Sequence, residues 1–348
     1  MKILILGIDG YIGYPLGQWL SSTGYEVTGV DNLWRRSHVA SIVPISVREV
    51  PEIFDIRDAE RLHKLFKDYG PDTIIHLAEQ PSAAYSMKDY NSCIETHQNN
   101  IIGTLSVLYA MYEVCPDAHL IKLGSMGEYG APGIQIAEDP DFPKRPVSWY
   151  HCTKVHDTHN IQFACRTWGL RCTDIMQGVV YGNKAYGVET RLDLDECFGT
   201  VINRFCAAAA VGEPLPVYGD GSQRKSFLPL EDSLQCFKLI IDNPANDYRV
   251  VHQFDECYSI NDLCEIIQSV LPGIKVSHEF NPRNETGGAY EPQSFVLKDL
   301  GYKPKGDIKS VISGLIETCR MYKNNIDRSV FRPQIGWELN WETISLKQ

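Results

Sequence analysis

Apolar residues in the first half of the chain come in short, nearly continuous blocks. These alternate with segments whose apolar positions recur every three or four residues. The blocks are KILILG (2–7), EVTGVD (26–31), DTIIHLA (72–78), HLIKLGS (119–125) and RCTDIMQG (171–178), each bounded by Gly, Pro or polar residues. A strand without polar alternation is buried on both faces, as in a parallel sheet covered by helices. The segments AERLHKLFKDY (59–69) and NNIIGTLSVLYAMYEV (99–114) carry i, i+3, i+4 apolar spacing and predict those helices. The expected fold class is α/β: a Rossmann-type doubly wound parallel sheet with a smaller C-terminal α/β substrate-binding lobe. Past residue 184 the pattern loosens. GDGSQRKSF (219–227) and FNPRNETGG (280–288) are turn-rich, and SINDLCEIIQSVL (259–271) is helical. The chain therefore divides into a dinucleotide-binding part, residues 1–183, and a lobe formed mainly by 184–348, with a discontinuous boundary.

Composition narrows the classes. Of 348 residues, 43% are hydrophobic and 22% charged, the balance of a soluble globular protein. A formal net charge of −11 argues against nucleic acid or an anionic membrane as partner. Eleven cysteines contain no CxxC pair, so neither a zinc site nor a disulfide framework is signalled, and reduced thiols are expected. The opening MKILILG reads as a strand, too short for a secretory signal, and no apolar run nears the roughly 20 residues that span a bilayer. The expectation is a cytoplasmic protein.

The first chemistry-bearing stretch is LGIDGYIGYPLGQWL, which sets Gly7, Gly10 and Gly13 between a strand and an amphipathic helix. Such glycines permit a tight turn, close approach of the backbone to a pyrophosphate, and helix-on-strand packing, while the helix N-terminus offers free N–H groups to phosphate. Asp31 ends the second strand, 18 residues beyond Gly13, where a carboxylate accepts bonds from a ribose diol. Its charge opposes a 2′-phosphate, whereas Arg35 and Arg36 would attract one. NAD is favoured over NADP. Asp55 either receives the adenine amino group or caps the helix that follows.

SWYHCTKVHDTHN (148–160) holds Tyr150 and Lys154 at i, i+4, on one face of a helix. A phenol titrates near 10, but a neighbouring ammonium and a nicotinamide cation would stabilise the phenolate and make it a base for a sugar hydroxyl. Ser125 lies at a preceding strand end. LGSMGEYGAPG (123–133) also carries Glu128, and His151 follows Tyr150 directly. His156 and His159 lack an evident third ligand, and no metal is expected.

The glycine motif, Ser125 and Tyr-x-x-x-Lys together resemble the extended short-chain dehydrogenase/reductase family, and GVVYG (178–182) with VYGDGSQRKSF (217–227) resembles its nucleotide-sugar branch. Sugar 4,6-dehydratases show Thr-Asp-Glu-Val-Tyr-Gly. Aligned on Tyr129 and Gly130, this chain has Met126 and Gly127 where those enzymes place their acid and base. KLGSMGEYG (122–130), YHCTKVHDTHN (150–160), QGVVYG (177–182), FGTVINRF (198–205), NPR (281–283), DNLWRR (31–36), EQPSAAYSM (79–87) and NNIIGTL (99–105) resemble instead the UDP-sulfoquinovose synthase family, over residues 1 to about 300.

That resemblance implies the substrate UDP-glucose, sulfite or a sulfite donor as second substrate, and tightly bound, recycled NAD. Tyr150 would be the base, with Lys154 and Ser125 supporting the developing charge. Glu128 and His151 would do acid/base work in dehydration and sulfite addition, and Met126 with Gly127 would leave room beside carbon 6. Cofactor contacts would come from Gly7, Gly10, Tyr11, Ile12, Gly13, Asp31, Asn32, Arg35, Arg36, Asp55, Ile56, Leu77, Ala78, Gln80, Asn99, Tyr150, Lys154, Gln177 and Val180. Substrate contacts would come from Gln80, Ser125, Tyr150, Gln177, Thr200, Asn203, Val217, Tyr218, Arg224 and Arg283, the two arginines at the pyrophosphate. Arg204 and Lys225 read equally well as site or surface charges. Pro81 stands where plant-type members carry Arg. Helices around 85–114 and 148–167 would build a homodimer, or part of a homotetramer. The alternatives are a UDP-glucose 4-epimerase, another nucleotide-sugar 4,6-dehydratase, or a non-catalytic NAD-sensing protein.

Overall fold

Seven parallel strands form the central sheet: β1 (Lys2–Leu6), β2 (Glu26–Asp31), β3 (Glu52–Ile53), β4 (Thr73–His76), β5 (His119–Leu123), β6 (Arg171–Gln177) and β7 (Tyr248–Gln253), in the order β7-β6-β5-β4-β1-β2-β3. The computed structural model describes residues 1–45, 49–130, 133–281, 283 and 290–337. Successive residues of each strand feed opposite layers. Ile3, Ile5, Ile75, Ile121 and Ile175 pack with Leu16, Leu20, Leu234 and Phe237 on one face. Leu4, Leu6, Ile74, Leu120 and Cys172 pack with Leu62, Phe66, Val107, Met111 and Ile161 on the other. Both layers are dry, which is why the strands read as unbroken apolar blocks.

The helices that matter to the site are α1 (Gly13–Ser22), α2 (Ala59–Tyr69), α3 (Gly103–Val114) and α4 (Trp149–Trp168). Asp58 caps α2 by accepting from Arg61 N, so the cap is not Asp55. The predicted helix 99–114 opens as a π-helical turn, Gln98–Ile102, before α3. The second lobe has its own core, with Leu192, Ile202, Phe205, Leu215, Val217, Leu263, Ile267, Ile312 and Leu315 buried together. Its strand Arg224–Pro229 pairs in parallel with Val179–Tyr181 and antiparallel with Glu256–Ser259. Between these, the chain returns to the main sheet as β7, so the two parts are interlaced. Most of FNPRNETGG lies outside the described residues.

Strand order reverses between β1 and β4, where a doubly wound sheet opens a crevice at its carboxyl ends. The candidate site lies there.

Candidate active site

A cavity of about 680 Å³ runs from the end of β1 across β4 and β5 into the second lobe. At its β1 end Gly7 has φ +85°, and a Cβ there would lie 2.7 Å from the Leu77 carbonyl carbon. A Cβ on Gly13 would overlap the Gly7 carbonyl oxygen. No side chain caps the N-terminus of α1, where Tyr14 N donates to the Gly10 carbonyl (3.2 Å) and Pro15 has no N–H, so the uncapped end carries the positive pole of the helix to the cavity. Asp31 faces the same cavity and accepts from Asp9 N (3.0 Å) and Leu33 N (2.8 Å). Burial raises its pKa, against which both backbone bonds work. An uncapped helix end, a glycine cradle and a carboxylate beyond fit a dinucleotide. Tyr11, Ile12, Asn32, Arg35, Ile56, Leu77, Ala78, Gln80, Asn99, Gln177 and Val180 line the cavity too. Asn100 fastens this wall, its Nδ2 donating to the Gln80 carbonyl (3.1 Å) and to Thr153 of α4 (2.9 Å).

The reacting groups meet where β5 ends. Ser125 N-caps the 3₁₀ turn Met126–Tyr129, accepting from Gly127 N (3.1 Å). Ser148 caps α4 by accepting from His151 N (3.2 Å), and its hydroxyl also lies 2.9 Å from His151 Nδ1. This aims the imidazole's other nitrogen at the turn: a Cβ on Gly127 would overlap His151 Nε2. Tyr150 is buried, and burial raises its pKa. The Glu79 charge raises it further, whereas Lys122 and a hydrogen bond with Ser125 lower it. Lys154 lies 5.7 Å from the Tyr150 ring centre, but its ammonium bonds to Glu79 and to the Leu123 carbonyl (2.5 Å). Burial lowers the Lys154 pKa, and the Glu79 carboxylate partly restores it. Glu79 is held down at about 2: burial works against this, but Lys154 and then Lys122 prevail. The Lys154 cation is thus balanced by Glu79, not turned wholly on the phenol.

Several expected residues lie elsewhere. Glu128 does not face the cavity. Fully buried, it accepts from Ser125 N (3.0 Å) and pairs with Lys144 (3.2 Å), closing the capping box. The carboxylate three residues after Ser125 is a cap, and a neighbouring cation neutralises it. Gly127 leaves no open gap in the turn, because His151 fills it. Met126 reaches the cavity wall but packs mainly with Tyr129, Ile136, Met176, Val250 and Tyr290.

Val217 is core, not site, because strand alternation turns it inward, while Tyr218 lines the cavity. Asn203 accepts from Gly182 N (3.0 Å), off the cavity wall. Arg36 is drawn off the wall by Asp9, with Nε donating at 3.0 Å. Asp55 is bound by Arg57 (2.7 Å), and its pKa falls to about 2: burial opposes this, but bonds from Arg57 and Asn32 prevail. Arg224 sits at the rim, donating to the Cys257 carbonyl (2.7 Å) and facing Asp262 (3.4 Å).

Thr200, Lys225 and Arg283 line the cavity, as does the buried Arg204, which donates to Tyr218 Oη (3.2 Å). Pro81 lines it as well. His156 and His159 are exposed, and among the described residues no group of three or more His, Cys, Asp or Glu could hold a metal ion. Sequence reasoning missed Glu79, Asn100, Glu196 and Trp337: the first two lie inside EQPSAAYSM and NNIIGTL and Glu196 just before FGTVINRF, but no spacing rule singles them out, and Trp337 stands far from every motif.

The chain belongs to the NAD dependent epimerase/dehydratase family, which it matches over residues 3–251. It is an NAD-dependent enzyme of the extended short-chain dehydrogenase/reductase family. Among curated relatives it is similar to the chloroplastic UDP-sulfoquinovose synthase of Spinacia oleracea, at 39% identity over 97% of this chain and 79% of that protein. It is also similar to the UDP-sulfoquinovose synthase of Sulfolobus acidocaldarius, at 36% identity over 97% and 98%. Among solved structures, the UDP-glucose 4-epimerase of Thermotoga maritima with UDP-glucose matches with TM-score 0.75 at 22% identity, over 93% of this chain and 99% of that one. The NAD complex of the Brucella ovis UDP-glucose 4-epimerase matches with TM-score 0.77 at 20% identity, over 92% and 98%. These two likenesses establish the fold.

Proposed function

We propose that the protein converts UDP-glucose and sulfite to UDP-sulfoquinovose and water. The observation that carries this is one cavity in which Tyr150 and Ser125 stand beside a histidine seated in the space of residue 127. Two curated relatives, 39% and 36% identical to it over 97% of the chain, bear that activity in their names.

Gly7, Gly10, Gly13 and Asp31 would hold NAD, which would supply reversible hydride transfer with carbon 4 of the sugar. Tyr150 takes the proton of the carbon 4 hydroxyl, and Ser125 hydrogen-bonds the developing ketone. The ketone acidifies carbon 5. His151 handles the proton exchanged as the carbon 6 hydroxyl leaves as water, since its ring faces the cavity and Ser148 orients it. Sulfite then bonds to carbon 6 through its sulfur lone pair, the 5,6 double bond is consumed, and carbon 5 regains a proton. Glu128 serves by holding Ser125 in place.

The exposed apolar residues Tyr90, Ile94, Ile102, Tyr109, Tyr112, Trp149 and Phe163, on the helical segment Tyr90–Val114 and on α4, support a homodimer through these helices. Among the described residues no helix is long and apolar enough to cross a membrane. All eleven cysteines are free, which supports a reducing compartment such as the cytoplasm.

Incubation with UDP-glucose and NAD, with and without sulfite, followed by mass spectrometry of the nucleotide sugar, tests the reading. A sulfonated product that appears only with sulfite is expected. UDP-galactose formed regardless of sulfite would overturn it in favour of an epimerase.

A further inference from the structure

The segment 332–337 runs beside the cavity and brings Trp337 to its wall. Glu196 holds one end, its carboxylate accepting from Gln334 N (2.7 Å) and Ile335 N (3.1 Å). At the other end Trp337 donates from its indole Nε1 to the Val147 carbonyl (3.1 Å), one residue before the Ser148 cap of α4. Glu196, Val147 and Trp337 all line the cavity. The indole also carries the Arg283 guanidinium, whose central carbon lies 4.9 Å from the ring centre. Arg283 Nε is buried and has no hydrogen-bond partner among the described residues. A long, flexible cation is thus placed at the cavity wall by an aromatic face, with donor capacity left over.

We propose that Trp337 is a positioning residue for the nucleotide-sugar: it holds the Arg283 guanidinium where it meets the pyrophosphate. This rests on the reading of the cavity as a UDP-glucose site. Guanidinium binds phosphate well only when its planar fork is already oriented. Contact with the indole face restricts the guanidinium, and the Val147 bond ties the indole to the start of the helix that carries Tyr150 and His151. The nucleotide end of the substrate and the reacting end are thereby referred to one rigid element. The role belongs to no motif in the first 300 residues, and it depends on a residue near the end of the described chain.

The test is a double-mutant cycle on Trp337 and Arg283, read by calorimetry with two probes, UDP and UDP-glucose, on the NAD-loaded protein without sulfite. Trp337→Ala is expected to weaken both probes about tenfold and by the same factor, with bound NAD unchanged. Trp337→Phe, which keeps an aromatic face, stays within about threefold of wild type. The double variant W337A/R283A binds no more weakly than R283A alone. Additive losses in the cycle, unaltered probe binding by W337A, or equal losses in the Ala and Phe variants would each overturn the proposal. If wild type binds neither UDP nor UDP-glucose, the functional reading itself fails and takes this proposal with it.

Discussion

Lys154 turns its ammonium to Glu79, and both side chains are only 3% exposed. The pair lies beside the phenol of Tyr150, and the negative partner of a buried ion pair disfavours a second negative charge nearby. Glu79 therefore stands among the groups that set how readily Tyr150 ionises, although nothing in the Tyr-x-x-x-Lys spacing points to it.

Neutralising that carboxylate makes Tyr150 a stronger acid. Burial, then Glu79, then Glu128 raise the phenol's pKa, so Glu79→Gln removes the larger of the two charges that do so. Oxidation needs the phenolate, so activity rises with pH through this pKa and the acidic limb of the profile marks it. In E79Q that limb moves to lower pH by about one unit, equivalent to about 1.4 kcal/mol. A pH profile of single-turnover NADH formation checks it; an unmoved limb means the Glu79 charge does not reach the phenol.

Gly127→Ala places a methyl group where His151 Nε2 lies. The imidazole must rotate or the turn must shift, so formation of the sulfonated sugar falls about 100-fold, the lower end of the range for general acid–base assistance. Hydride removal at carbon 4, read as NADH absorbance, loses far less. Equal losses in both steps would mean that His151 has no separate part in dehydration.

Asp9→Asn releases Arg36. In the wild type the Asp9 carboxylate ties this guanidinium off the cavity wall, so Asp31 faces the cavity without that cation. The expected result is about a tenfold gain in NADP affinity relative to NAD, or about 1.4 kcal/mol, measured by titrating cofactor-free protein. The gain disappears in D9N/R36A.

Glu128→Ala breaks a buried ion pair from one side. Lys144, with its side chain 7% exposed, keeps its charge without the carboxylate, and the Ser125 N–H loses its acceptor. Destabilisation of about 3–5 kcal/mol is expected from denaturant unfolding. Glu128→Gln retains the cap geometry and part of the turnover; a dead but fully stable E128Q would instead restore a proton-transfer role.

The sheet was legible because its strands are buried on both faces: Ile3, Leu4, Ile5 and Leu6 alternate between two dry layers and leave no polar gap. β7 escaped notice, since YRVVHQ carries Arg249, His252 and Gln253 among its apolar residues and sits within the looser second half. Tyr150, Lys154 and Ser125 could be read because helical spacing and strand ends are local properties. What spacing cannot encode is which way a side chain turns once its neighbours are neutralised. Glu128 stands three residues from Ser125, and that closeness makes it a cap, because Lys144 and Thr158 hold it inside. Arg36 looked like a ligand for phosphate until Asp9, 27 residues away, claimed it. Val217 and Tyr218 are adjacent and face opposite ways, a parity that a motif match does not specify.

The imidazole lodged against residue 127 also restricts how such a protein can be remade. Installing an acidic pair in this loop would evict the ring from its seat, so the loop and the start of the neighbouring helix have to be exchanged as one cassette. Drift at a single position offers no smooth route between the two ways of removing water from a hexose.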